Sequence, residues 1–204
     1  MKIAVIGGGS TYTSKLVNGF LVRMDSHPLE EPWLMDVDGE RLDFVGGFAR
    51  RMVEAKGGAF KVVLSMHQRE TTAGASYVTT QMRVAMMVAR CGDEYLGLRH
   101  GLIGQETTVV SRRVKALRTI PVILSIGKDI REVASGSLPP NFTNPAGLVA
   151  EAPNRYVQGV PAIAVCNAVI TTKMKILEGL EETTGNRIDE HRAALNALGL
   201  NHLT

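Results

Sequence analysis

Two side chains in the second half of the chain, Cys166 and His202, belong to the types that bind divalent metal ions. A thiolate and an imidazole can hold such an ion while water or substrate oxygens fill its other positions. Their spacing does not require a metal, however. A cysteine that closes an apolar strand is usually a small buried hydrophobe, and a histidine near the end of a chain usually lies in solvent. Both interpretations stay open at this point.

A second group of residues, near the start of the chain, could bind a phosphate. Ile3 to Ile6 form a short apolar run typical of a buried parallel strand, and three consecutive glycines follow it. Ser10 and Thr11 then offer hydroxyls and an N-cap to a helix. Because unpaired N–H groups and the positive end of the helix dipole point outward at such a terminus, we predict a site for the pyrophosphate of a dinucleotide.

A carboxylate after the second predicted strand supports this interpretation. Asp36 closes the apolar run Trp33 to Met35, where it could accept hydrogen bonds from the adenosine ribose, and this favours NAD over NADP. Asp38 competes for that role but could instead cap the next helix. Tyr12 replaces the third glycine of the dinucleotide fingerprint, so a glycine-rich turn of another α/β protein remains the alternative. The residues we assign to the cofactor are Ile6, Gly7, Gly8, Gly9, Ser10, Thr11, Asp36 and Arg41.

The composition excludes several classes of protein. The net charge is +3 over 204 residues, and the basic residues are scattered among acids, so we expect no nucleic-acid partner. No apolar run approaches the roughly 20 residues that span a bilayer, which predicts no membrane segment. Two cysteines without a secretory signal favour a cytoplasmic location and no disulfide.

Alternating strand and helix patterns must position these residues. We predict strands at Ile3 to Ile6, Trp33 to Met35, Phe60 to Leu64, Ser76 to Thr80, Asn141 to Thr143 and Ala162 to Val165. A long helical pattern at 114–133 contains Pro121, which should kink or restart it. The alternation predicts an α/β fold with a Rossmann-like, doubly wound parallel sheet over residues 1–168, and only the beginning of a second α/β substrate domain at 169–204.

Several longer runs resemble the NAD-dependent family 4 glycoside hydrolases, in particular their 6-phospho-β-glucosidases. The resemblance rests on VIGGGSTYT, MDVDGERL, GLIGQETT, ALRTIPVIL, NFTNPAGLV, VCNAVI and GLNHL. It covers essentially the whole chain in the same order, and it implies an exception to the usual pair of catalytic carboxylates.

The chemistry that this resemblance implies begins with NAD⁺, which takes a hydride from C3 of the sugar. The resulting ketone acidifies the C2 proton, a base removes it, and the glycosidic oxygen leaves. Water then adds and NADH returns the hydride. A divalent metal, typically manganese, polarises the C3 oxygen as a Lewis acid. The implied substrate is a phosphorylated disaccharide or an aryl glycoside, and the implied assembly is a homo-oligomer.

The resemblance also implies a role for single residues. Cys166 and His202 match the metal ligands. Arg83, Arg90 and Asn144 match substrate-binding positions, and the planar fork of arginine suits the sugar phosphate. Glu106 matches an acidic residue that tunes the catalytic base. Asn167 stands where α-acting relatives have an aspartate, which favours a β-glucoside.

Three stretches depart from the family pattern. Ser14 replaces a proline, Ala85-Met86 replaces a glycine pair, and Val109 to Arg113 replaces a glycine-rich loop. We expect the larger side chains to crowd the backbone beside the nicotinamide or the sugar, or to force positive φ on residues other than glycine. The family's tyrosine base belongs to a region beyond Thr204, so the resemblance implies the N-terminal portion of the enzyme.

Two other functions share these sequence features. A 2-hydroxyacid or malate-type dehydrogenase would use the same fold, but His67, His100 and His191 lack a convincing catalytic context. A non-catalytic NAD-binding fragment is the third hypothesis.

Overall fold

The computed structural model describes residues 1–104, 110–189 and 192–196. These residues divide into two units, which meet between Ala164 and Val165 of the chain. The strands of the first unit are β1 (Lys2–Ile6), β2 (Glu31–Met35), β3 (Val63–Ser65), β4 (Tyr77–Thr80), β5 (Pro140–Asn141) and β6 (Ile163–Ala164). Its helices are α1 (Thr13–Val22), α2 (Gly39–Glu54), α3 (Gln68–Thr72), α4 (Met86–Arg99), α5 (Val110–Val133) and α6 (Ala146–Tyr156). The second unit contains α7 (Ala168–Thr184).

The six strands form one parallel sheet in the order β3-β2-β1-β4-β5-β6. This order confirms the predicted Rossmann-like, doubly wound fold. The strand order reverses direction between β1 and β4, where Ile6 lies opposite Thr80. In such sheets the ligand crevice lies beyond the carboxyl ends of the strands at this switch point.

The centre of the sheet is buried on both faces, which explains why β1 is apolar from Ile3 to Ile6. Ala4 and Ile6 pack in one cluster with residues of α5 and α6, whereas Ile3 and Val5 pack in a second cluster with residues of α1 and α2. Successive side chains of a strand point to opposite faces, so a continuous apolar run is needed when helices cover both. β1 is thereby held rigidly at the centre of the fold.

Several predicted element boundaries differ from the structure, and the two main differences concern α5 and β3. α5 passes through Pro121 without restarting, because Pro121 lies at an exposed position where water can reach the carbonyl that loses its helical partner. β3 begins at Val63 and not at Phe60, whose side chain instead packs in the core beside Phe20. No helix within the described ranges is both long and apolar enough to span a bilayer.

Candidate functional site

The polar residues of interest lie where four neighbouring strands end. Gly7 follows β1, Asp36 follows β2, Gln81 follows β4, and Asn144 stands shortly after β5. Because the strands are parallel and adjacent, their carboxyl ends share one edge of the sheet. The fold therefore brings the predicted glycine turn and the predicted ribose carboxylate to the switch point.

The glycine turn, residues 7–12, is bonded to β2 through its own amides. The N–H groups of Gly7 and Gly8 both donate to the Met35 carbonyl, at 2.9 and 2.7 Å. The Gly9 N–H donates to Asp36 Oδ2 at 2.9 Å. The expectation of several unpaired amides in this turn was therefore wrong. The Met35 carbonyl and the Asp36 carboxylate already accept from the amides of the three glycines.

The donors left for an anion lie at the end of the turn. Ser10 N–H donates to the Gly7 carbonyl and Tyr12 N–H donates to Ser10 Oγ at 3.2 Å. Thr11 N–H is the one amide of this turn without a hydrogen-bond partner among the described residues. α1 begins at Thr13 with Tyr12 as its N-cap and no side-chain capping bond, so the predicted cap by Ser10 or Thr11 was also wrong. Ser10 Oγ caps a local turn instead.

A fully buried threonine and a half-buried glutamine hold two carbonyl groups of the turn. Thr13, which is fully buried, donates from Oγ1 to the Gly8 carbonyl at 2.8 Å. Gln81 Nε2 donates to Thr13 Oγ1 at 2.7 Å and to the Gly7 carbonyl at 3.2 Å. The sequence analysis assigned no role to either residue. The sequence feature that could have indicated Thr13 is a hydroxyl side chain placed directly after the glycine turn.

The two candidate carboxylates have separate roles. Asp36 faces the turn and also accepts from Asp38 N–H through Oδ1, at 3.2 Å. Asp38 caps α2 by accepting from Arg41 N–H at 3.1 Å, as the sequence allowed. An ionised carboxylate has about four acceptor positions, so Asp36 keeps capacity for two ribose hydroxyls. Arg41 Nη2 donates to the Gly9 carbonyl at 3.2 Å, which places a positive charge beside the turn.

Gly9 shows that this cradle fits only a residue without a side chain. A Cβ at this position would lie 2.8 Å from Asp36 Oδ2 and 3.3 Å from Arg41 Cβ. Any side chain would separate the turn from the carboxylate. The start of α1 offers hydroxyls and one amide, unpaired among the described residues, that could donate to a diphosphate, and a carboxylate after β2 could accept from a ribose. This set of donors and acceptors fits a dinucleotide.

The segment after β4 carries the expected backbone strain. Ala85 and Met86 have φ values of 59° and 56°, the positive φ values found for non-glycine residues in the described part of the chain. Positive φ was one of the two outcomes expected where this sequence departs from the family's glycine pair. Neither residue is β-branched, which makes the conformation less unfavourable.

Ala85→Gly is expected to stabilise the chain by about 0.5–1 kcal/mol, because relief of left-handed strain exceeds the entropy that glycine adds to the unfolded state. Urea denaturation measures the change. Ala89→Gly, within α4, is the matched control and should destabilise by about 0.5–1 kcal/mol. A loss of stability in both variants would contradict the strain argument.

The predicted substrate residues lie near the same edge or on α4. Arg83 follows β4, and Asn144 is partly buried ahead of a cis peptide bond to Pro145. Arg90 Nε lies 2.7 Å from Glu94 Oε1, one turn along α4. α4 is joined to α5 by Arg118, whose Nη1 donates to Asp93 Oδ1 at 2.9 Å. Hydrogen bonding to that carboxylate raises the pKa of Arg118 above its ordinary value.

The structure does not test the predicted metal site, because one of its two ligands lies outside the described residues. Cys166 is exposed in the second unit, and Asn167 there is the N-cap of α7 without a side-chain capping bond. Glu106 and His202 lie outside the described residues. Within the described ranges no three His, Cys, Asp or Glu side chains are grouped closely enough to hold a metal. The described residues therefore contain the groups that a dinucleotide site requires, and the metal site stays a prediction.

Comparison with known proteins identifies what the chain resembles. The sequence profile described as family 4 glycosyl hydrolase matches residues 2–182. The chain is 40% identical, over its whole length, to the 6-phospho-β-glucosidase of Escherichia coli K12, of which it covers 44%. The 6-phospho-β-glucosidase of Thermotoga maritima, solved with manganese, NAD⁺ and glucose-6-phosphate, has a TM-score of 0.81 and 35% identity, over 89% of this chain and 43% of that one.

A more distant likeness shows the fold alone. The malate dehydrogenase of Picrophilus torridus has a TM-score of 0.64 at 15% identity, over 93% of this chain and 52% of that one. The chain spans under half of the length of the two glucosidases that it matches.

Proposed function

Since the chain belongs to family 4 of the glycosyl hydrolases, we propose that it supplies the dinucleotide-binding part of an NAD- and manganese-dependent 6-phospho-β-glucosidase. The observation that carries this proposal is the hydrogen bond between Gly9 N–H and Asp36 Oδ2, which joins the glycine turn to the ribose carboxylate at the switch point. The identity to the glucosidases of Escherichia coli and Thermotoga maritima supports the substrate class. The malate dehydrogenase shares the fold only, so the dehydrogenase hypothesis is weaker.

The chain's own residues bind and orient the cofactor in this proposal. Asp36 accepts from the ribose hydroxyls, and the Thr11 N–H with the hydroxyls of Ser10 and Thr11 donates to the diphosphate. When bound, the cofactor would supply a hydride acceptor for C3 of the sugar and a hydride donor for the last step. β4 and β5 end beside the turn, so Arg83 and Asn144 are the residues we assign to the sugar and its phosphate, together with Arg90 on α4.

The remaining assignments follow from the family and belong to the same proposal. Cys166 and His202 would hold the divalent ion, Glu106 would tune the base, and Asn167 would favour a β-linked substrate. A thiolate and an imidazole are softer ligands than manganese prefers, so sugar oxygens and water would complete its coordination. A cytoplasmic location and assembly into a homo-oligomer are also proposed.

Calorimetric titration of the 204-residue chain with NAD⁺ tests the cofactor site. We expect saturable binding by the unchanged chain and none by Gly9→Val, whose side chain would displace Asp36. Absence of binding by the unchanged chain would overturn the proposal.

Turnover requires a separate assay, with NAD⁺, Mn²⁺ and a chromogenic 6-phospho-β-glucoside. A protein that extends this chain to the full length of its relatives is expected to cleave the substrate without net NADH accumulation. The 6-phospho-α-glucoside and the unphosphorylated β-glucoside are matched controls and should not be cleaved. Steady NADH accumulation would instead identify a dehydrogenase.

A further inference from the structure

An arginine and a methionine form a bridge between α4 and the glycine turn. Met86 Sδ lies 3.0 Å from Arg41 Nη1, and Arg41 Nη2 donates to the Gly9 carbonyl at 3.2 Å. Arg41 belongs to the first turn of α2, so the bridge links the start of α4, the start of α2 and the turn. All three lie within the first unit.

The strained backbone directs Met86 toward this contact. Ala85 and Met86 are both left-handed, and Met86 N–H donates to the Arg83 carbonyl at 3.2 Å, which closes a tight turn directly ahead of α4. Such a conformation persists only where surrounding interactions determine it, and it is concentrated at functional sites. The thioether contact with Arg41 is one interaction that the strained turn makes possible.

The bridge restricts a side chain that would otherwise be mobile. Arginine has about 2 kcal/mol of rotamer entropy to lose on ordering. One terminal nitrogen is held by the Gly9 carbonyl and the other by the Met86 sulfur. The guanidinium charge is thus kept beside the turn before any anion binds, and preorganisation of this kind increases affinity.

We propose that Met86 is a positioning residue for the dinucleotide, acting through Arg41 to hold a positive charge beside the glycine turn. This inference rests on the proposed function, since it assumes that the turn receives the diphosphate. Met86 does not contact the cofactor in this scheme. Its sulfur sets where the guanidinium lies.

The test is a double-mutant cycle on NADH affinity, read by energy transfer from Trp33, the single tryptophan of the chain. Met86→Leu keeps size and apolar character but removes the sulfur, and Met86 is 43% exposed, so no cavity results. We expect about threefold to tenfold weaker binding for Met86→Leu and a larger loss for Arg41→Ala. The double variant should bind as Arg41→Ala does, because the sulfur then has no guanidinium to hold.

Two further variants separate positioning from structure. Met87→Leu changes the neighbouring, 57% exposed methionine and should bind NADH as the unchanged chain does. Met86→Gln restores an acceptor and should recover part of the affinity that Met86→Leu loses. Unchanged affinity in Met86→Leu, or an equal loss when Arg41 is already alanine, would overturn the inference while leaving the proposed function intact. Failure of the unchanged chain to bind NADH would overturn the proposed function itself.

Discussion

Gly7→Ala is expected to lower the free energy of unfolding by about 3 kcal/mol, through two effects at one position. Gly7 has φ +93°, which is unfavourable for any residue with a side chain. A Cβ would also lie 2.8 Å from Met82 N and 2.9 Å from the carbonyl carbon of Gln81. Both are backbone atoms, so the end of β4 would have to shift. Urea denaturation followed by Trp33 fluorescence measures the loss.

Gly57→Ala is the matched control for this substitution. Gly57 has φ +87°, nearly the same conformation, but no atom lies within 4 Å of its Cβ position. We expect a loss of about 1 kcal/mol, from backbone strain alone. Equal losses in the two variants would show that the close approach of β4 to the turn contributes nothing to stability.

Asp36→Ala is expected to weaken NADH binding by about tenfold to a hundredfold. The change removes a charged acceptor for the ribose hydroxyls, and hydrogen bonds to charged groups contribute about 1.5–3 kcal/mol each. It also releases the Gly9 N–H, which loosens the turn from β2. Titration with NADH, read by energy transfer from Trp33, gives the affinity.

Asp38→Ala is the control that separates the two neighbouring carboxylates. Asp38 caps α2 and accepts from no amide of the turn, so its loss should lower stability by about 1 kcal/mol and weaken NADH binding much less than Asp36→Ala does. If Asp38→Ala weakened binding as much as Asp36→Ala, the assignment of the ribose carboxylate would be wrong.

Local chemistry made part of the site predictable. Three features of the site can be read from neighbouring residues in the sequence: the apolar run of β1, the glycines after it and the two aspartates after β2. The residue types alone indicate that Asp36 ends a strand and that Asp38 can cap a helix. The parallel sheet followed from the alternation of elements. These predictions needed no knowledge of which distant segments meet.

Contacts between distant segments could not be predicted in this way. Gln81 and Thr13 are 68 residues apart, and Arg41 and Met86 are 45 residues apart. The amides of Gly7 and Gly8 are unavailable to a ligand because both donate to the Met35 carbonyl, which the sheet places beside the turn. α1 begins at Thr13, whose hydroxyl donates to the Gly8 carbonyl inside the fold. Tertiary hydrogen bonds decided each of these points.

The Thr13–Gln81 pair means that the turn is built before a nucleotide arrives. Its carbonyls and most of its amides are satisfied by the chain itself, so the empty and loaded shapes should coincide. Binding then needs no folding step, and the association rate is governed by diffusion and orientation. The turn can therefore bind and release the nucleotide without a change in its own backbone conformation.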